Sequence, residues 1–101
     1  MNNRIEIAQK FSKAINSDKI IKIILFGSVA RGYDTEDSDI DILIISDYQK
    51  EIQDKITFES FQIVLNNQEV ITPIIMSTDK MNQINDFTFM KNVRREGIVL
   101  G

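Results

Sequence analysis

The sequence contains no cysteine, no histidine and no tryptophan, and only one of its 101 residues is proline. Without cysteine the chain can form neither disulfides nor thiolate metal sites, and without histidine it has no Ser–His–Asp triad and no imidazole ligand. Any metal site must therefore use oxygen ligands, which favours Mg²⁺, Mn²⁺ or Ca²⁺. The N-terminal segment lacks the apolar core of a signal peptide, and no apolar run reaches the about 18 residues that span a membrane. These absences predict a cytoplasmic protein.

The length predicts a single domain over residues 1–101, and the hydrophobic content of 43% is ordinary for a globular chain. A domain of this size buries enough surface for one core but not for a deep internal cavity as well. A ligand site is therefore expected on an open face or at the edge of a partner.

The formal net charge is −3, and the acidic side chains are concentrated in residues 27–59, which hold nine acidic and three basic groups. Such a charge run indicates either a solvated loop or a cation site. With a pI of about 4.8 and no stripe of basic and aromatic residues, direct nucleic-acid binding is not expected.

Hydrophobic periodicity and turn residues predict an α/β sandwich around a small sheet, which could be parallel or mixed. Predicted helices cover residues 3–16, 47–65 and 79–95, with a helical turn at 28–32, and predicted strands cover 19–26, 38–46 and 69–77. Asp47 is the expected cap of the second helix, and residues 98–100 form a short apolar tail. Pro73 makes the third strand an edge strand, because proline cannot donate to a ladder hydrogen bond.

Asp39 and Asp41 lie two residues apart on the second predicted strand, so both carboxylates point to the same face. No Lys or Arg lies between residues 38 and 48 to pair with them, and a divalent cation would remove their repulsion. An EF-hand loop beginning at Asp37 is excluded, because Ile42 stands where that loop needs Gly and Tyr48 where it needs Glu.

The segment from Gly27 to Gly32 follows a buried strand and opens a helical turn. Gly27 lets a phosphate approach the backbone, and the N–H groups and hydroxyl of Ser28 suit an anion. The turn is not a Walker A loop, because the Gly-Lys-Ser/Thr ending is absent. A phosphate cradle beside an aspartate pair is what a nucleoside triphosphate site requires.

The stretch GSVARGYDTEDSDIDILI, residues 27–44, closely resembles the signature of the DNA polymerase β-like nucleotidyltransferase superfamily, and in particular its small stand-alone members, the minimal nucleotidyltransferases. The resemblance implies a mixed-sheet nucleotidyltransferase fold. It also implies Mg²⁺-dependent transfer, through a two-metal site, of a nucleoside monophosphate from a triphosphate, usually ATP. Carried over by position, Asp39 and Asp41 hold metal and are catalytic together with Ser28, and Gly27 and Ser28 bind the nucleotide. Arg31 either reaches phosphate or braces the acidic loop.

The resemblance further implies a third carboxylate on the next strand, facing the first two. Residues 69–77 contain no Asp, and the one acid, Glu69, stands at the start of the strand, too far along to join the pair. This departure allows slow catalysis or none.

Three functions follow from these observations. The first is transfer of AMP to a hydroxyl acceptor, which the resemblance suggests is a protein, often a HEPN toxin for which the nucleotidyltransferase acts as antitoxin. The second is a binding protein of the same fold that acts by contact with a partner. The third is a structural subunit, in which the paired motif would be coincidence. A homo-oligomer is compatible with all three.

Overall fold

The computed structural model describes residues 2–101, in which helices and strands alternate along the chain. The helices are α1 (Arg4–Ile15), α2 (Gly27–Arg31), α3 (Gln49–Asn67), α4 (Thr78–Gln83) and α5 (Thr88–Glu96), and the strands are β1 (Lys22–Phe26), β2 (Ile40–Ile45), β3 (Ile71–Met76) and β4 (Ile98–Val99). This element order confirms the predicted α/β class.

The strands form one mixed sheet in the order β3-β2-β1-β4. β2 pairs in parallel with β3, whereas β1 pairs antiparallel with both β2 and β4. The apolar β2 lies inside the sheet, where both of its faces are covered. β3 lies at an edge, as Pro73 predicts.

Helices cover both faces of the sheet, because the strand side chains alternate between two hydrophobic clusters. On one face Ile40, Ile42 and Ile44 pack with apolar residues of α1 and α3. On the other face Leu43 and Ile45 pack with Met90 and Val93 of α5. Each face of β2 carries the side chains that the sequence predicts for it. The aspartate pair lies on the same face as Leu43 and Ile45.

Three local predictions are wrong. The helix predicted over residues 79–95 is two helices, α4 and α5, separated by a turn in which the Phe87 N–H donates to the Ile84 carbonyl. Asp47 does not cap α3, because its carboxylate accepts from the N–H and hydroxyl of Thr78 at the start of α4. The apolar tail is strand β4, which pairs with β1. The Asp47 contact and the pairing of β4 join segments that are far apart in the chain, whereas the turn between α4 and α5 is closed by a local hydrogen bond.

Within residues 2–101, no helix combines the length and the hydropathy needed to cross a bilayer.

Candidate active site

The two aspartates lie at the N-terminal end of β2, on the face that α4 and α5 cover further along. Asp39 is exposed and directly precedes the strand, whereas Asp41 is half-buried within it. Asp41 lies opposite Phe26 of β1 on one side and opposite Thr72 of β3 on the other. Residues opposite each other in neighbouring strands share a face, so this end of the sheet gathers side chains from three strands around Asp41.

The ionised form of Asp41 is disfavoured in the folded protein. Burial raises the pKa of the Asp41 carboxyl, and the negative charge of Asp39 raises it further. The two carboxylates therefore repel each other at neutral pH when no cation is bound.

Replacing Asp41 by Asn is expected to stabilise the metal-free protein at pH 7, raising its melting temperature by roughly 3 °C. A carboxyl whose folded pKa is raised above its unfolded pKa costs stability when it is ionised, and this cost disappears as the pH falls below the unfolded value. The gain should therefore shrink towards zero near the ordinary aspartate pKa of 3.8. Thermal melts in a chelating buffer at several pH values measure it, with Asp54→Asn on the exposed surface of α3 as the control. A lower melting temperature for Asp41→Asn at pH 7 would contradict the argument.

The turn after β1 brings backbone against the Asp41 carboxylate. Gly27 has a φ of 77°, and a Cβ added to it would collide with Oδ2 of Asp41. Glycine is thus required both for the conformation and for the close approach. No side chain caps the N-terminus of α2, whose first turn contains the half-buried Ser28, and α2 ends at Gly32, which has a φ of 78°.

The donors gathered here suit a cation that is also bound by a substrate. Within residues 2–101, no group of three or more His, Cys, Asp or Glu side chains comes together at one point. The carboxylates of Asp39 and Asp41 and the hydroxyl of Ser28 all offer oxygen atoms. Mg²⁺ is usually held by one or two carboxylates together with substrate phosphates and water. Asp39 and Asp41 therefore fit a hard divalent cation, with the remaining ligands supplied by a phosphate group and water.

Thr72 stands where the third carboxylate would be expected. It lies opposite Asp41 in the parallel register, and its hydroxyl donates to Oδ2 of Asp39 at 3.0 Å. The sequence alone does not single out Thr72, because only the strand register tells which position of β3 faces the pair. Glu69 is elsewhere, buried before β3 begins, as its place in the sequence predicts.

The acidic loop before Asp39 is held by Arg4 of α1. Arg4 is 4% exposed, and its guanidinium donates to the carboxylates of Glu69 and Asp34. It also donates to the backbone carbonyls of Thr35 and Glu36. The hydrogen bond to Glu69, together with that to Asp34 and the negative charges of both carboxylates, raises the pKa of Arg4 above its ordinary value against the opposing effect of burial. Three segments that are far apart in the chain therefore meet at the buried positive charge of Arg4.

Arg4 was not among the site residues predicted from the sequence, although its helical spacing indicates a buried position. Arg4 precedes Ala8 by four residues and Phe11 by seven, and both are fully buried, so Arg4 lies on the buried face of α1. A basic residue in that position needs an acidic partner. The brace of the loop is thus Arg4, whereas Arg31 is largely exposed, with its Nε 3.8 Å from Oε2 of Glu96.

A family model, "Nucleotidyltransferase domain", matches residues 6–97 of the chain. The chain belongs to this nucleotidyltransferase family. The nucleotidyltransferase is 39% identical over 101 residues to a protein of Methanocaldococcus jannaschii named "Putative protein adenylyltransferase", covering 97% of this chain and 98% of that protein. A second protein of that organism with the same description is 50% identical over 44 residues, which are 41% of this chain and 44% of that protein.

Two solved structures share the fold of this nucleotidyltransferase. One is a toxin–antitoxin with AMP-PNP, 17% identical, with a TM-score of 0.60, covering 100% of this chain and 73% of that chain. The other is a mutant of the toxin–antitoxin MntA-HpeT, 16% identical, with a TM-score of 0.59 and the same coverage. Family and fold together confirm the resemblance given by residues 27–44, and the chain is an enzyme of the nucleotidyltransferase class.

Proposed function

We propose that this nucleotidyltransferase transfers AMP from ATP to a hydroxyl group of a protein partner. The observation that carries the proposal is the direct contact between the two halves of the site. The backbone of Gly27 lies against the Asp41 carboxylate, so phosphates bound at the turn would lie beside the aspartate pair. The name of the relative in Methanocaldococcus jannaschii, a protein adenylyltransferase, supports both the donor and the class of acceptor.

In this proposal each residue has one task. The N–H groups of the α2 turn and the Ser28 hydroxyl donate to the terminal phosphates, and Arg31 swings from Glu96 towards them. Asp39 and Asp41 would hold Mg²⁺, which when bound neutralises phosphate charge at the reacting centre. Gly27 has no Cβ, so phosphates bound at the turn can lie close to the two carboxylates.

The reaction joins the acceptor oxygen to the α-phosphorus of ATP and breaks the bond from that phosphorus to the oxygen bridging to the β-phosphate. Pyrophosphate leaves with that oxygen, and the acceptor hydroxyl loses its proton. The Thr72 hydroxyl is not basic enough to take this proton, so we propose that water receives it. Transfer is then slower than in a site with a third carboxylate.

Replacing Thr72 by Asp is expected to increase the rate of transfer at saturating Mg²⁺ by about tenfold or more, because general bases typically contribute 10²–10⁴-fold. The new carboxylate would face the pair from the adjacent strand and could accept the proton of the acceptor. Thr72→Asn, which has the same size without the charge, is the matched control and should give no increase. Equal rates for wild type and Thr72→Asp, measured as labelled AMP incorporated per minute, would show that this position does not limit transfer.

We propose that the partner is a toxin of the HEPN type, with this chain as its antitoxin. Support comes from the two fold neighbours, both of them toxin–antitoxin structures. ATP labelled at the α-phosphate, Mg²⁺ and the product of the adjacent gene provide the test. Label on the partner, with loss of its toxicity, is the expected result. A partner that stays unlabelled and toxic at all Mg²⁺ concentrations would refute the proposal.

A second candidate function, inhibition by contact alone, is favoured by α3. Phe58, Phe61 and Leu65 lie at helical spacing on this helix, and their side chains are 58%, 58% and 55% exposed. An apolar stripe of this kind on a small domain is typical of a protein-binding surface. Here the occupant would be an apolar surface of the same toxin. Replacing Phe61 by Glu should then abolish inhibition, and inhibition without any label would favour contact over transfer.

A further inference from the structure

A cavity of about 130 Å³ lies between the β1–α2 turn and helix α5, directly beside the aspartate pair. Its walls are formed by Phe26, Gly27 and Arg31 on one side and by Phe89, Asn92 and Glu96 on the other. Phe26 is the residue opposite Asp41 in the sheet, and Gly27 touches its carboxylate, so the cavity and the aspartate pair share a wall.

The lining of the cavity combines two aromatic rings with polar side chains. The rings of Phe26 and Phe89 meet edge to face, with centroids 5.4 Å apart and an interplanar angle of 85°. Of the polar lining residues, Asn92 and Glu96 both accept hydrogen bonds from Arg95 through one oxygen each. The Asn92 amide lines the cavity and could donate to the edge of a ligand, whereas the second Glu96 oxygen lies 3.8 Å from Nε of Arg31.

A phosphate chain would be a poor occupant of this space, because it would meet two apolar rings and the Glu96 carboxylate, whose charge also compensates the Arg31 guanidinium 3.8 Å away. A flat heterocycle suits it better, since aromatic side chains stack on the faces of nucleobases and polar groups pair with their edges. We propose that this cavity holds the nucleobase of the donor nucleotide, while the triphosphate lies along the α2 turn. This inference rests on the proposed function, because it assumes a nucleoside triphosphate at Gly27 and Ser28.

Comparing two ligands separates the contribution of the base to binding from that of the phosphates. They are ATP and inorganic tripolyphosphate, which has no base. Titration calorimetry of the full chain with each ligand in Mg²⁺ gives the two affinities. Phe89→Ala removes one ring, and Asn92→Trp fills the cavity from a lining position that is only half-buried. Both variants are expected to weaken ATP binding about tenfold, the size of a lost stacking contact, and to change tripolyphosphate binding less than twofold.

Phe87→Ala is the matched control, because Phe87 is a phenylalanine two residues away that is 61% exposed and does not line the cavity. It should leave both affinities unchanged. Should Phe89→Ala fail to fold, Asn92→Trp alone decides the question. The inference is overturned if Asn92→Trp binds ATP as tightly as wild type does, or if ATP and tripolyphosphate are weakened equally. If the wild-type chain binds neither ligand, the proposed function fails and this inference fails with it.

Discussion

Replacing Asp39 by Asn should lower the rate of AMP transfer by about 10³-fold or more. A bound divalent ion supplies several kcal/mol of stabilisation to the reacting phosphate, and each 1.36 kcal/mol is worth about tenfold in rate. Asparagine keeps the size of the side chain and can still accept the hydrogen bond from Thr72, which spans 3.0 Å in the native protein. The variant should therefore fold normally and lose only the charge that the cation requires.

Asp37→Asn is the matched control for this experiment, because Asp37 is an exposed aspartate two residues upstream in the same acidic loop. It removes the same charge from the same segment. A general change in the electrostatic potential of the acidic loop would therefore affect both variants alike. Label incorporated into the partner at fixed Mg²⁺ and ATP measures the rate, and thermal melts verify folding. More than a tenth of wild-type activity in Asp39→Asn, or an equal loss in Asp37→Asn, would contradict the assignment of Asp39 as a metal ligand.

The second large effect concerns stability. Replacing Arg4 by Met should lower the free energy of unfolding by about 3–5 kcal/mol, because it leaves the buried Glu69 carboxylate without a partner. Domains of this size are usually stable by only about 5–15 kcal/mol, so the loss corresponds to a fall in melting temperature of roughly 15 °C or more. The change also frees the backbone carbonyls of Thr35 and Glu36, which accept from Arg4 in the native protein.

A double variant tests whether the uncompensated charge is the cause. Arg4→Met combined with Glu69→Met should recover most of the stability, because an apolar pair can replace a buried ion pair at little cost. Asp34 remains, but its side chain is 20% exposed and can be hydrated. Lys10→Met, on the exposed surface of the same helix, should change stability by less than about 0.5 kcal/mol. Chemical denaturation measures all three, and an Arg4→Met variant within 1 kcal/mol of wild type would show that the buried pair contributes little.

The Arg4 cluster also has a consequence for the candidate site. It joins α1, Glu69 two residues before β3, and the acidic loop that leads into Asp39. Because β3 carries Thr72 and β2 carries Asp41, the cluster fixes the two segments whose side chains meet around the aspartate pair. These contacts give the aspartate pair a rigid base.

The local chemistry of the candidate site is determined by the sequence alone. Gly27 and Gly32 mark a turn that needs positive φ, and the two-residue spacing of Asp39 and Asp41 places both on one face wherever the strand goes. The order of the main elements and the edge position of β3 follow equally from short-range patterns, because strand alternation and the missing N–H of Pro73 act within a few residues.

Only the tertiary structure decided which distant residues meet these local elements. Arg4 finds its Glu69 partner 65 positions away, and Thr72 faces Asp39 across 33 positions. Strand register and helix packing set such pairs, and strand pairing with β1 converts the apolar tail into β4. Local propensity does not contain this information, because the free energy that selects these pairings comes from burial between segments that are far apart in the chain.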